Sequence, residues 1–204
     1  MIHSFFNREP VDSFFQAIDQ LCKIIVFSII GRIVFTCIKN PHENLTNIES
    51  AKMIISHVSE GYKMAKKYRL PSVLTDFITT HHGTTRVEFF YRTFQQNNPD
   101  LEVDPLDFTY PGPKPKTKEQ SIMMIADSLE AASKSLKSPS EEDINDLVEN
   151  IIDGKIALGQ LNEANLTFRE LETIKVVFKN LLKSINHVRI DYPNEDKTKQ
   201  QDEI

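Results

Sequence analysis

The amino-acid sequence predicts an all-α protein, and two kinds of observation support this class. No stretch alternates apolar and polar residues for long, as a half-buried strand would. Three segments begin instead with the signature of a capping box, in which a threonine and a residue three positions later bond each other's backbone N–H groups. Each signature precedes apolar residues at helical spacing. The three pairs are Thr46–Glu49, Thr117–Gln120 and Thr167–Glu170.

The elements of the N-terminal half follow from breaks in this pattern. Residues 11–38 predict one or two buried helices, since they are rich in Phe and Ile and lack a polar face. The helix that begins at Thr46 should reach about Tyr68. Pro71 separates it from the next helix, and an aromatic helix follows from about Val87 to Phe94. The Thr46 helix has a core row of Ile54, Val58 and Ala65, with His57 beside it on the line of Met53 and Met64.

A long loop and three further helices complete the predicted chain. Residues 96–116 carry five prolines, and a loop of this length inside a compact domain is usually functional or disordered. The helix after Thr117 should bury Ile122, Ala126 and Leu129. Ser140 should cap a helix containing Ile144, Leu147 and Ile151. The helix after Thr167 should bury Leu171, Ile174, Phe178, Leu181 and Ile185.

Composition limits the possible functions. The chain of 204 residues suits one domain, and its net charge of −5 argues against a general nucleic-acid binder. Lys114, Lys116 and Lys118 still allow a local phosphate site. Cys22 and Cys37 match no zinc pattern and indicate reduced thiols in a cytosolic setting.

The N-terminal region raises the question of a membrane segment. The first twenty residues lack the pattern of a secretory signal. Leu21–Ile38 is apolar and about long enough to cross a bilayer, but Lys23 and Arg32 interrupt it. We therefore favour a buried helix over a membrane span.

The most informative feature is the doublet His81-His82. Phe77 and Ile78 lie four residues before the two histidines, so both imidazoles should point inward from the last turn of a helix that stops at Gly83. A buried histidine is more often a core residue with a protein hydrogen-bond partner than a ligand, and this holds for His57 taken alone. The doublet together with Asp127 favours a mixed nitrogen and oxygen site for zinc, manganese or iron.

Residues near this doublet offer groups that could bind phosphate. Arg86 and Lys114 could hold phosphate oxygens, although a solvated surface charge is the commoner role for either. Thr84 and Thr85 follow the doublet and could contact a bound phosphate or serve as turn residues. With one or two metal ions nearby, such a site would suit phosphodiester hydrolysis.

Several long motifs occur in order along the chain. They are His81-His82-Gly83-Thr84-Thr85, Tyr110-Pro111-Gly112-Pro113-Lys114-Pro115, Ala126-Asp127-Ser128-Leu129-Glu130-Ala131-Ala132, Asn40-Pro41-His42-Glu43, Gly159-Gln160-Leu161, Asn186-His187-Val188-Arg189-Ile190 and Tyr192-Pro193. Together they resemble the cytoplasmic HD domain of the seven-transmembrane HD phosphodiesterases. The resemblance covers roughly residues 40–193 and implies an HD-domain helical bundle that hydrolyses cyclic di-AMP to the linear dinucleotide at a two-metal site. It implies that His57, His81, His82 and Asp127 are metal ligands, with Thr84, Thr85 and the Tyr110 loop near the substrate.

The chain departs from this family at the doublet that names it. Ser28-Ile29, within Phe27-Ser28-Ile29-Ile30-Gly31-Arg32, stands where His-Asp followed by Ile-Gly-Lys is expected, and His3 is the only candidate for a further upstream histidine. The missing aspartate would bridge two metals, so we expect impaired activity and at most one retained metal. The family's membrane helices and sensor region are absent, which suggests a truncated copy. We expect divergent helices in 1–39, the HD-type domain in 40–190 and a disordered tail in 191–204.

Two other functions stay open at this stage. A non-catalytic regulatory module would bind a cyclic dinucleotide without cleaving it. A general HD nucleotidase would act on mononucleotides, although the Tyr110–Pro115 loop favours the cyclic-dinucleotide family. The sequence assigns no catalytic residue, no single metal and no oligomeric state.

Overall fold

The computed structural model describes residues 42–187, and the side chains of residues 186 and 187 are not included in the description. The predictions for residues 1–41 and 188–204 lie outside the described residues, among them the apolar stretch Leu21–Ile38, the Ser28-Ile29 pair and the charged tail. Within the described range the all-α prediction is confirmed. The elements are α1 (Asn47–Lys67), α2 (Ser72–Thr80), α3 (Glu88–Asn97), a 3-10 helix (Pro105–Phe108), α4 (Lys118–Ser133), α5 (Glu141–Ala157) and α6 (Phe168–His187).

The predicted helix starts are correct, with one difference in detail. Thr46 and Glu49 form a reciprocal capping box, and so do Thr167 and Glu170. At Thr117 the capping box is half formed: the hydroxyl accepts from the Gln120 N–H, but the Gln120 side chain accepts from the N–H of Lys116. The Gln120 side chain therefore binds the backbone of Lys116, the residue before the cap, with its Oε1 atom 2.8 Å from the Lys116 nitrogen.

The main hydrophobic core lies between α4, α5 and α6. Leu129 on α4 and Val148 and Ile152 on α5 are almost completely buried. Along the α5–α6 contact, Lys175 is 9% exposed and pairs with Glu149 and Asp153, while Lys183 pairs with Glu141 nearer the end of α6. These ion pairs border the apolar contact that holds the two helices together.

Some predicted core rows are displaced by about one residue. On α6 the last core residue is Leu182, and the predicted Ile185 is 50% exposed. On α5 the fully buried row is Ile144, Val148 and Ile152, whereas Leu147 and Ile151 pack at its edge. A helix buries a stripe wider than one residue, and neighbouring helices decide which positions lie at its centre.

The N-terminal half surrounds α1. This helix packs against α2, α3 and the 3-10 helix, and α2 contacts α4, which joins the two halves. The loop between α3 and α4 is ordered around the 3-10 helix, and an isolated antiparallel bridge links Arg86 to Thr109. This pairing brings the proline-rich loop against the turn that follows α2.

None of the helices in residues 42–187 has the length and apolarity needed to cross a bilayer.

Candidate metal centre

The three histidines predicted as ligands lie together between α1 and the end of α2. One ligand atom from each of His57, His81 and His82 lies within 4.8 Å of the other two. His57 is 9% exposed and His81 5% exposed, although Met53 and Met64, which share the helical line of His57, face solvent. His57 is buried because α2 packs over that part of α1.

Two of the imidazoles are oriented by backbone carbonyls three residues earlier in the chain, His57 within α1 and His81 just after the end of α2. Nδ1 of His57 lies 2.5 Å from the carbonyl oxygen of Ile54, and Nδ1 of His81 lies 2.8 Å from that of Ile78. A carbonyl oxygen only accepts, so each Nδ1 carries a hydrogen and donates. In the neutral ring, Nε2 then bears an available lone pair.

These two lone pairs face each other. The Nε2 atoms of His57 and His81 are 3.1 Å apart. A direct hydrogen bond between them would need a second proton on one ring, and burial lowers the pKa of both histidines, which disfavours that charged form. Two nitrogens bound tetrahedrally to one zinc ion at about 2.1 Å lie roughly 3.4 Å apart. The observed separation therefore fits a shared cation.

Asp127 lies beside His82 but does not belong to the group of ligand atoms that lie within 4.8 Å of one another. Oδ2 of Asp127, on α4, lies 3.6 Å from Nδ1 of His82, and these side chains are 17% and 19% exposed. Burial raises the pKa of Asp127 to about 6. Burial, followed by the neighbouring His81 and His57, places the pKa of His82 well below its usual range. A bound cation would offset the cost of keeping this carboxylate charged, and three neutral imidazoles with one carboxylate suit a divalent transition metal.

Tyr110 covers one side of the cluster. Its ring stacks on that of His82, with centroids 4.1 Å apart and planes inclined by 22°. Its backbone N–H donates to the carbonyl of Thr85, and the Thr85 hydroxyl donates to the carbonyl of His82. The proline-rich loop thus holds the turn after α2 in place.

The other predicted substrate residues are engaged within the chain. Arg86 pairs with Glu88 and lies over the ring of Tyr91, 3.8 Å from its centroid. The Lys114 ammonium donates to the carbonyl of Gly159. Thr84 lies beside the doublet and bonds to Gln160.

Sequence reasoning did not single out Lys155 and Gln160 as site residues. Burial lowers the pKa of Lys155 on α5, and the charge of Asp127 opposes that shift. Helical spacing could have predicted the inward position of Lys155, because it comes three residues after the buried Ile152 and continues the inward row of α5. Gln160 follows the turn at Gly159 and is buried, but a glutamine in a turn is not expected from its residue type to be buried.

Three clustered histidines with an aspartate beside them, inside an all-α fold, define the class of helical domains with a potential internal metal site. Comparisons with known proteins identify the particular family. The HD domain family model matches residues 37–132. The crystal structure of the Listeria monocytogenes phosphodiesterase PgpH HD domain in complex with cyclic di-AMP superposes with a TM-score of 0.69 at 37% identity, over 75% of this chain and 71% of that one. The chain therefore belongs to the HD domain family.

Two curated relatives extend this result. The chain is 42% identical over 160 residues to the cyclic-di-AMP phosphodiesterase PgpH of Bacillus subtilis (strain 168). The matched region covers 78% of this chain and 22% of that protein. It is 37% identical over 156 residues to PgpH of Listeria monocytogenes serotype 1/2a (strain 10403S), over 76% of this chain and 21% of the relative. The matched region thus spans about a fifth of the length of these relatives.

Proposed function

We propose that this chain is a cyclic-di-AMP phosphodiesterase domain of the HD family whose hydrolysis is impaired. In this proposal one divalent cation is held by His57, His81, His82 and Asp127. The observation that carries the proposal is the 3.1 Å approach of two Nε2 atoms whose Nδ1 atoms are both committed to backbone carbonyls. The names of the PgpH relatives support the substrate.

The residues around the proposed cation would each have a separate role. The carbonyls of Ile54 and Ile78 hold the hydrogen of each ring on Nδ1 and aim the two Nε2 atoms at a common point, while burial keeps both imidazoles neutral. Asp127 supplies the negative charge, and Tyr110 shields one face of His82. A divalent cation supplies Lewis-acid chemistry to phosphoryl transfer, neutralising phosphate charge and lowering the pKa of water.

The buried lysine on α5 supports an anionic substrate. The Lys155 ammonium makes no hydrogen bond and no ion pair within 4 Å among the residues that the structure describes, although its charge is close enough to Asp127 and His82 to shift their pKa values downward. Burying an ammonium group without a hydrogen-bonded partner is costly, and the more distant charge of Asp127 offsets only part of that cost, so a phosphate oxygen would offset more of it.

The first prediction concerns the full chain of 204 residues with Mn²⁺. We expect about one manganese ion per chain by metal analysis, cyclic di-AMP binding by calorimetry, and slow formation of the linear dinucleotide that stops when a chelator removes the metal. Chromatography of the products measures the last of these. Absence of manganese binding would contradict the proposal, and a preference for nucleoside monophosphates would favour a general nucleotidase.

A non-catalytic regulatory module is the second candidate, and one observation favours it. The 204 residues contain no His-Asp dipeptide, and Ser28-Ile29 is the nearest counterpart that the family resemblance suggests. Cyclic di-AMP binding with no product after prolonged incubation would select this function over weak hydrolysis.

The second prediction tests the cause of the impairment. The double variant S28H/I29D restores the doublet that the family resemblance leads us to expect. We expect it to bind a second manganese ion and to hydrolyse cyclic di-AMP at least tenfold faster than the parent chain, because a two-metal site holds both the attacking and leaving oxygens. The variant S28N/I29N is the polar control, and equal rates for both variants and the parent would show that the missing doublet is not the cause.

We further propose that the domain works in the cytoplasm, as the family resemblance implies.

A further inference from the structure

Gln160 is a buried amide at the turn between α5 and α6. It is 3% exposed, and both ends of its side chain contact Thr84, which lies two residues after the histidine doublet. The Oε1 atom accepts from the backbone N–H of Thr84 at 2.9 Å, and Nε2 donates to the Thr84 hydroxyl at 3.0 Å. The two residues are 76 positions apart in the sequence.

These contacts set the direction of the Thr84 hydroxyl. Its oxygen accepts from Nε2, which carries two hydrogens and never accepts. The alternative, in which the hydroxyl donates to Oε1, has the longer distance of 3.3 Å. In the shorter arrangement the hydroxyl hydrogen is left to donate to another group.

The same turn holds other parts of the site. A β-carbon built on Gly83 would lie 2.5 Å from Gln160 Oε1, so the amide occupies the space that the glycine leaves beside His82. The preceding residue, Gly159, accepts a hydrogen bond from the ammonium of Lys114. Thr84 and Lys114, two predicted substrate residues, are therefore both fixed to positions 159 and 160.

We propose that Gln160 is a positioning residue for substrate binding, which orients the Thr84 hydroxyl as a hydrogen-bond donor to an anionic oxygen of the bound phosphodiester. This inference rests on the proposed function and assigns a task to a turn that lies outside the metal cluster. Gln160 acts through Thr84, since its own amide is fully engaged within the chain.

The third prediction uses Gln160→Glu in the full chain with Mn²⁺. A glutamate keeps an oxygen for the Thr84 N–H but has no donor for the hydroxyl, so the hydroxyl should turn and donate to the carboxylate. We expect cyclic di-AMP affinity to fall about tenfold or more, as for the loss of a hydrogen bond to a charged group, while manganese affinity stays within about twofold. Calorimetry with each ligand separately measures both values.

A double-mutant cycle with Thr84→Val separates this role from simple charge repulsion. Valine removes the hydroxyl and keeps the side-chain shape. We expect the double variant to bind cyclic di-AMP no more weakly than Thr84→Val alone, because the two changes remove the same donor. Gln160→Met has similar length but no hydrogen-bonding group for Thr84, so it leaves the hydroxyl without an orienting partner and should also lower cyclic di-AMP affinity; it replaces Gln160→Glu if the glutamate variant does not fold.

Some results would contradict the role of Gln160 without contradicting the proposed function of the chain. The proposed role of Gln160 would be wrong if both Gln160 variants bound cyclic di-AMP as tightly as the parent chain. It would also be wrong if the double variant lost affinity by the product of the two single losses. A parallel loss of manganese affinity would mean that Gln160 is merely structural. If the parent chain itself does not bind cyclic di-AMP, the proposed function fails.

Discussion

Replacing His81 with alanine is expected to abolish specific manganese binding. Changes to residues that only support metal ligands typically cost about 10- to 100-fold in affinity, so removal of a central ligand should cost more than that. Manganese at about 100 times the dissociation constant should stabilise the parent chain by about 2.7 kcal/mol, which raises Tm by roughly 5–11 °C for a domain of this size. The His81→Ala variant should show no such rise.

The matched control is His42→Ala, which removes an imidazole that contacts Phe90 outside the cluster. We expect this variant to retain the full manganese-dependent rise in Tm, whatever its stability without metal. Equal rises for the parent, His81→Ala and His42→Ala would mean that manganese binds somewhere else. Manganese is the suitable probe because the thiols of Cys22 and Cys37 compete for softer metals.

Replacing Gly83 with alanine should produce a large loss of stability. Gly83 has φ +55°, in the left-handed region, and an added β-carbon would lie 2.5 Å from Gln160 Oε1 and 2.7 Å from Met124 Cε. Backbone strain costs about 1–3 kcal/mol, and overpacking costs a similar amount. We therefore expect a decrease of about 2–4 kcal/mol in the free energy of unfolding, measured by urea denaturation monitored by circular dichroism.

The chain provides a control of the same chemistry in Gly154→Ala. Gly154 lies within α5, and a β-carbon there would meet no atom within 4 Å. Because alanine is the better helix former, this variant should gain about 0.5–1 kcal/mol. If Gly83→Ala is as stable as the parent, the close packing of the doublet turn against Gln160 and Met124 is not present in solution.

Local features of the sequence were sufficient to predict the helices. A capping box is formed by residues three positions apart, so the starts of α1 and α6 follow from Thr46–Glu49 and Thr167–Glu170. The doublet was predicted on the last turn of a helix that stops at Gly83, but α2 ends at Thr80 and the doublet lies just after it; Gly83 has the positive φ that its position suggested. The inward direction of His81 also followed from helical spacing, since Phe77 and Ile78 mark the buried face.

Features that depend on distant segments were not predictable from local sequence. On α6 the core row shifts from the predicted Leu181 to Leu182 and leaves Ile185 exposed, which reflects how α5 packs against α6. The roles of Gln160 and Lys114 depend on contacts across 76 and 45 positions. The burial of His57, despite the exposed Met53 and Met64 on its line, results from the packing of α2 on α1.

The most direct test of the central claim is an anomalous diffraction map of crystals of this chain grown with manganese. We predict one anomalous peak at about 2.0–2.2 Å from the Nε2 atoms of both His57 and His81, with His82 and Asp127 completing its ligands. A map in which manganese is bound elsewhere, while those two Nε2 atoms remain in direct contact with each other, would contradict the account.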